Sequence, residues 1–585
     1  MKGGGRMRYT TLHEIKTSKN NIDVFGGYNH NLRISENEFF DMKNLTSTHY
    51  PILSPRFKRG IYTTANNPLG MIEKDSLCYV DGDTFYMNGY PVANITLNPD
   101  TEKQLISMGA YVVIMPDKKY VNTKNISDCG SIEAEFESST QVRFELCREN
   151  GTLYGNATVS ATEPSDPKNM DLWIDTSSVP HSLKQYSTTN AAWFAIASTY
   201  IKISATGIGK AFNQYDGVTI SGVESEALKD LNNTMIIWDK GDDYIVVIGI
   251  LDVTTTQDAP ITVMRKMPEM DFVIESENRL WGCRYGVALN GEIVNEIYSS
   301  KLGDFKNWNC FMGLSTDSYA ASVGTDGQFT GAVTHMGYPL FFKENHLHKI
   351  YGNFPSNYQI QTTACRGVQK GSEKSLAIVN EVLFYKSRSG ICAYDGSLPV
   401  EISSKLGDVS YSDAVAGTIG NKYYVSMKDT TDKYHLFVYD TAKDLWHKED
   451  NTKVKQFCRC RGELYFIDCA DNKIKTVVGV GTLEASPVDW MAETGVLSTD
   501  MPDKKYISKI NVRMFLDLDS LVRFYIQYDS CGAWEFLCAM QGTTLRSFTV
   551  PIKPKRCDHM RIRIVGRGDA KIYSLTKTIE QGSDV

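Results

Sequence analysis

Acids, histidines and cysteines at short spacings are where this 585-residue chain would keep its chemistry. His346 and His348 flank Leu347, and strand alternation turns both imidazoles to one face, the start of a zinc site with no third ligand at a familiar spacing. Cys458 and Cys460, with Cys469, put three thiols near one hairpin. A zinc ion would need a fourth ligand there, and buried hydrophobic cysteines are the simpler reading. Asp242-Asp243 and Asp517/Asp519 are carboxylate pairs that glycosidic bond cleavage could use, yet both read as turn acids. Trp281, Trp308, Trp446 and Trp534 could stack on sugars, but large aromatics are expected to fill the gaps of a packed β core. Gly207-Ile208-Gly209-Lys210 lacks a third glycine and reads as a turn, and no Walker A or Gly-x-Ser-x-Gly motif occurs. The expectation is therefore a non-enzyme with no catalytic, cofactor-binding or metal-binding residue and no cofactor.

The elements that would position any site repeat about every forty residues, as a strand, a tight turn and a second strand. Pro339-Leu340-Phe341-Phe342 is answered by Leu347 to Tyr351, and Val382 to Tyr385 by Gly390 to Tyr394. Tyr423 to Ser426 is answered by Tyr434 to Tyr439, and Glu463 to Ile467 by Lys473-Ile474. Hairpins at this period predict propeller blades, because one hairpin alone buries too little to be stable. The fold class is all-β: a propeller of about six to eight blades, a β-rich insertion and a C-terminal β-sandwich of jelly-roll type.

Boundaries follow from changes of rhythm. Residues 1–60 read as an N-terminal arm, in which Ser35 and Glu38 form a capping box for a short helical turn carrying Phe39, Met42 and Leu45. Residues 61–129 hold the first blades and 130–267 an inserted β-rich domain. The insertion is expected to have strands at Gln141 to Leu146, Asp171 to Ile174, Tyr200 to Ser204, Gly217 to Ile220, Met235 to Trp238 and Tyr244 to Leu251. Blades resume over 268–485, and 486–585 alternates strictly, as in Met560, Ile562 and Ile564 against Arg561 and Arg563.

Sixty-two basic against sixty-nine acidic residues leave a formal charge of −7, which disfavours a nucleic-acid-binding role. No run approaches the length of a membrane helix, and the N-terminus shows no secretory signal. Thirteen cysteines in no framework spacing point to folding in a reducing cytoplasm.

Three stretches carry a resemblance. "FGGYNHNLRISENEFFDMKNL…YPILSPRFKRG" resembles the N-terminal arm of propeller-bearing phage virion proteins. "ENRLWG" at Glu277 to Gly282, with Ile297 to Trp308, resembles the tail nozzle (tail tubular B) proteins of short-tailed phages and their relatives in phages of Gram-positive bacteria. "VPIKPKRCDHMRIRIVGRGDAKIYSLTKTIEQGSD" resembles the terminal sandwich of the latter. The resemblance implies a non-enzymatic virion component, a nozzle-like ring in the tail or neck that stabilises the assembly around the DNA channel. It implies as partners further copies of itself (a cyclic homo-oligomer, a hexamer), portal, adaptor or tail proteins, DNA passing through without sequence-specific binding, and the host surface. The arm would add strands to a neighbour or close the propeller. The alternatives are a host-surface adhesin, expected to expose aromatics at a loop end, and a wall-polymer hydrolase, expected to converge acids in a cleft.

Overall fold

The computed structural model describes residues 17–288, 291–497 and 505–581. It is almost entirely β, with helix confined to short 3₁₀ turns such as Glu226–Leu231. The first sixteen residues of the arm lie outside the described residues.

Sheets of sequential strands recur along the chain at 68–91, 104–131, 272–322, 329–364, 377–401 and 411–448. A seventh, over 454–483, takes in a strand from far upstream: Gly60–Thr64 lies antiparallel to Lys473–Thr476 and is flanked on its other side by Thr482–Leu483. The hairpins expected from sequence form as strands Lys422–Asp429 with Tyr434–Asp440 and Glu463–Asp468 with Lys473–Thr476. Tyr423, Phe437 and Phe466 on these strands are fully buried, which is why strands so rich in Tyr and Phe recur.

The chain divides into two compact units. One comprises Met1–Gly82, Phe342–His346 and Ala364–Val585, the other Asp83–Phe341 and Leu347–Thr363. The first unit contains a β-sandwich. Its four-stranded sheet places Thr17–Ile22 and Ala570–Gln581 beside Lys505–Leu516 and Arg546–Val550. Its five-stranded sheet runs through Phe39–Lys43, Asp489–Thr494, Met560–Arg567, Leu521–Tyr528 and Glu535–Met540. Ile510, Val512 and Met514 from one sheet meet Trp490, Phe524, Ile562 and Ile564 from the other in one core, each full burial of such a side chain being worth about 1.5–3 kcal/mol. The alternation read in Met560–Arg567 is present, with Arg561 and Arg563 turned outward to Glu493.

The arm thus contributes one strand to each sheet, and the helical turn expected after Ser35 is corrected. Glu38 does return to Ser35, its carboxylate accepting from the Ser35 N–H at 3.1 Å. The chain then extends, because Phe39–Lys43 pairs with Asp489–Thr494 and buries Phe39 and Met42. Partners some 450 residues away in sequence override the local helix signal.

Gly566 shows how tightly this core is filled. A Cβ at that position would stand 2.0 Å from the Trp490 ring, and Trp490 is itself pinned by its Nε1–H to the Gly568 carbonyl at 3.0 Å. Gly566→Ala is expected to destabilise the protein by about 1–3 kcal/mol through overpacking, read as a lowered urea midpoint at unchanged m-value.

In the second unit, the inserted segment forms a four-stranded and a five-stranded sheet over a core that includes Phe144, Ile203, Val218, Ile245 and Val263. Tyr200–Ser204 forms as read, and the other expected strands form within two residues at their N-terminal ends. A buried pair, Arg265 to Asp216 at 2.5 Å, crosses this region. A smaller four-stranded sheet over 157–195 completes the insertion.

Candidate active site

Asp517 and Asp519, a close acid pair in the sequence, meet a further acid in one cleft. They sit on the turn between Lys505–Leu516 and Leu521–Tyr528. The turn is shaped locally: the Asp517 carboxylate accepts from the Leu518 N–H at 2.8 Å, the Ser520 N–H donates to the Asp517 carbonyl at 3.1 Å, and Asp519 adopts φ +64, a conformation that Asp tolerates. The neighbouring turn, between Met560–Arg567 and Ala570–Gln581, also crosses from one sheet to the other and carries Asp569. The Asp517 N–H donates to the Asp569 carbonyl at 3.2 Å, locking the two turns together. Gly568 makes that approach possible, since it has φ +83 and a Cβ there would lie 2.5 Å from Ser520 Oγ.

The cleft has a volume of about 420 Å³. Asp517, Asp519 and Asp569 form one side, and His49, Phe57 and Lys58 of the arm form another. Phe57 and Leu518 stay half or more exposed, at 50% and 73%. Among the described residues none of the three carboxylates enters an ion pair. His49 contacts Ser54 Oγ through Nδ1 at 3.1 Å and lies edge-on to Phe57. Burial and then the nearby Lys571 push its pKa below the ordinary histidine value, against the pull of Asp569, which keeps the ring neutral near pH 7. Three unpaired carboxyl groups beside apolar surface suit a polyhydroxylated ring, whose apolar face meets Phe57 and whose hydroxyls meet the acids. Two carboxyls flanking a glycosidic bond are also what acid–base cleavage requires.

Other features singled out in the sequence take structural roles. His348 is buried, its ring nitrogens meeting Thr325 Oγ1 at 3.0 Å and Thr362 Oγ1 at 2.9 Å. Cys458 and Cys460 are buried, and burial raises both thiols, so they stay protonated. Among the described residues no three His, Cys, Asp or Glu side chains are placed to hold a metal ion. Asp243 fastens a turn by accepting from the Gly207 N–H at 2.7 Å, and 206–210 is itself turn. Trp281, Trp308 and Trp446 are core residues, whereas Trp534 is half-buried beneath Arg563 at 4.1 Å.

A second polar cavity of about 440 Å³ holds Lys386, Arg388, Glu401 and Asp408. Burial brings the Lys386 ammonium down to about 8, and it donates to Gln369 Oε1 at 3.0 Å and to the Ser387 carbonyl. Glu401 is already taken by Arg366 at 2.8 Å. The cleft at Asp517 is the better placed for chemistry.

His49, Phe57 and Asp569 escaped sequence inspection. They lie far from Asp517 along the chain, and only the pairing of sandwich strands gathers them.

No family model and no curated protein matches this sequence. Among solved structures, Raptor from Chaetomium thermophilum matches at 10% identity and a TM-score of 0.26, over 73% of this chain and 30% of its own. An exo-β-1,3-galactanase from Phanerochaete chrysosporium matches at 7% identity and a TM-score of 0.20, over 52% of this chain and 94% of its own. A glycoside hydrolase engineered to show both endo-xylanase and exo-arabinofuranosidase activity matches at 8% and 0.20, over 53% and 96%. This chain therefore spans under a third of the Raptor chain. The expectation of a non-enzymatic, ring-forming phage tail or neck component is corrected by these findings. The solved structures named here are glycoside hydrolases and Raptor rather than virion proteins, and the described residues present acids in a cleft. Likenesses this slight identify no family and transfer no activity. Among the described residues no helix is long and apolar enough to cross a membrane.

Proposed function

We propose that this chain is a carbohydrate-active protein that binds a polysaccharide in the cleft at Asp517 and cleaves a glycosidic bond there. The observation that carries the reading is the meeting of Asp517, Asp519 and Asp569 beside exposed Phe57 in one cleft. One carboxyl would protonate the leaving oxygen, while another supports the positive charge developing at the ring or activates water. Phe57 and Leu518 would take the apolar face of the sugar, and the neutral His49 would hold a hydroxyl.

The scaffold reading belongs to the same proposal. The seven recurring sheets are taken as propeller blades, the last completed by Gly60–Thr64, the strand that follows the arm. The resemblance to phage tail proteins is proposed as lineage alone. Its motif residues are structural: Arg279 spans to the Ser300 and Asp317 carbonyls, and the Trp308 indole N–H meets the Phe305 carbonyl. A site for polysaccharide would suit contact with a host surface, the one partner expectation that does not depend on a ring.

Release of reducing ends from a panel of plant, fungal and bacterial wall polysaccharides tests the reading. Asp517→Asn and Asp569→Asn are expected to lower the rate on the cleaved polymer roughly 10²–10⁴-fold, the usual worth of a positioned acid or base, with unfolding midpoints unchanged because both side chains are exposed. No release by the unaltered chain, or equal rates in both variants, sinks the reading.

A further inference from the structure

We propose that the inserted segment carries a separate saccharide-binding cleft, in which Trp238 receives a pyranose ring and Glu149, Asn150 and Asp239 hold its hydroxyls. The cleft, about 370 Å³, is bounded by these four residues with Arg148 and Gln214. It lies within one unit of the chain and shares no residue with the carboxylate cleft, so either site can fail without the other.

Local structure holds the aromatic wall in place. The Trp238 N–H donates to the Val246 carbonyl at 2.8 Å, and the Gln214 side-chain amide donates to the Trp238 carbonyl at 2.7 Å. Tyr200 and Tyr215 meet the indole edge-on, with ring centroids at 5.6 and 6.3 Å. An aromatic fixed by two perpendicular neighbours is a preorganised platform that loses little freedom when a ligand arrives.

The polar wall is a tight turn. The Arg148 N–H donates to the Thr152 carbonyl and the Gly151 N–H to the Arg148 carbonyl, each at 2.9 Å. Gly151 has φ +73, and a Cβ there would stand 3.2 Å from the Tyr244 ring and 3.3 Å from Asp239 Oδ2. Residue 151 must therefore be small for the turn to sit beside the Asp239 carboxylate. Tyr244 occupies Asp239 Oδ2 at 3.2 Å, leaving Oδ1 for a ligand. Asn150 Oδ1 accepts from the Thr152 N–H at 3.1 Å, which leaves its amide hydrogens for a ligand. Glu149 is exposed and enters no ion pair among the described residues. The cleft thus offers carboxylate acceptors for hydroxyl pairs, amide and guanidinium donors for ring and ether oxygens, and an indole for the apolar face. A neutral or amino pyranoside presents the complementary set. A strongly anionic sugar does not, because two carboxylates would oppose it.

An array of neutral, amino and acidic oligosaccharides, probed with the full-length chain, tests this. The Asp517→Asn/Asp569→Asn protein, with Phe57→Ala added so that the carboxylate cleft loses its apolar wall as well as its acids, is expected to retain a neutral or amino glycan. Adding Trp238→Ala should weaken that binding about tenfold or more. Trp238 also packs against two tyrosines, so Glu149→Gln on the exposed turn serves as the second variant. It should lose several-fold in affinity at an unchanged thermal midpoint. Retention of no glycan by the Asp517→Asn/Asp569→Asn/Phe57→Ala protein, or equal binding with and without Trp238→Ala and Glu149→Gln, overturns the proposal.

Discussion

Replacing Arg59 with alanine is expected to lower the unfolding free energy by about 3–5 kcal/mol, the cost of stripping one partner from a buried ionic cluster. Arg59 is 4% exposed. Its guanidinium donates to Glu449 at 2.7 Å and to Thr452 Oγ1 at 3.0 Å, pairs with Asp450 at 2.9 Å, and lies over the Phe466 ring. Without it, the buried Glu449 keeps the more distant Arg56 at 3.8 Å and Asp450 loses its guanidinium partner. The residue stands one position before Gly60–Thr64, the strand that joins the last recurring sheet, and one after Lys58, a wall of the carboxylate cleft. Arg59→Ala should therefore loosen that wall and reduce sugar affinity as well as stability. Chemical denaturation of the two proteins measures the first effect. A difference below 1 kcal/mol would mean that the cluster is not buried as described.

A second large effect comes with acid. His447 is 5% exposed, and its Nδ1 has no hydrogen-bond partner. Burial, then the Lys422 ammonium, depress its pKa from 6.5 to about 3, with Lys443 adding to and Asp440 opposing the shift. The folded chain keeps this ring neutral at pH values where the unfolded chain protonates it. Its contribution is complete above about pH 6.5 and is lost progressively as pH falls toward 3, by then about 4–5 kcal/mol. His447→Phe removes that titration, so its stability should fall less steeply between pH 6.5 and 3 than that of the unaltered chain. Parallel slopes in denaturation curves taken across this range would contradict the assignment.

What could be read from the sequence was whatever repeats locally. The strands around Tyr423, Tyr434 and Met560 were visible because alternation and aromatic content are properties of a few consecutive residues. The helical turn after Ser35 misled because a capping box is also local, and the pairing of Phe39–Lys43 with Asp489–Thr494 is not. His346 and His348 suggested metal by spacing alone, while the two threonines that hold His348 lie 23 and 14 residues away. The candidate site was half legible. Asp517 and Asp519 stood out as a close acid pair, but their worth depends on Asp569, His49 and Phe57, which only the sandwich and the strands of the arm bring near.

The most direct measurement is a crystal structure of the Asp569→Asn protein with a bound oligosaccharide of the polymer it cleaves. A sugar ring against Phe57, with a glycosidic oxygen within about 2.6–3.2 Å of the Asp517 or Asp519 carboxylate, is the predicted result. An ordered saccharide seated elsewhere, with this cleft holding only solvent, would contradict the account.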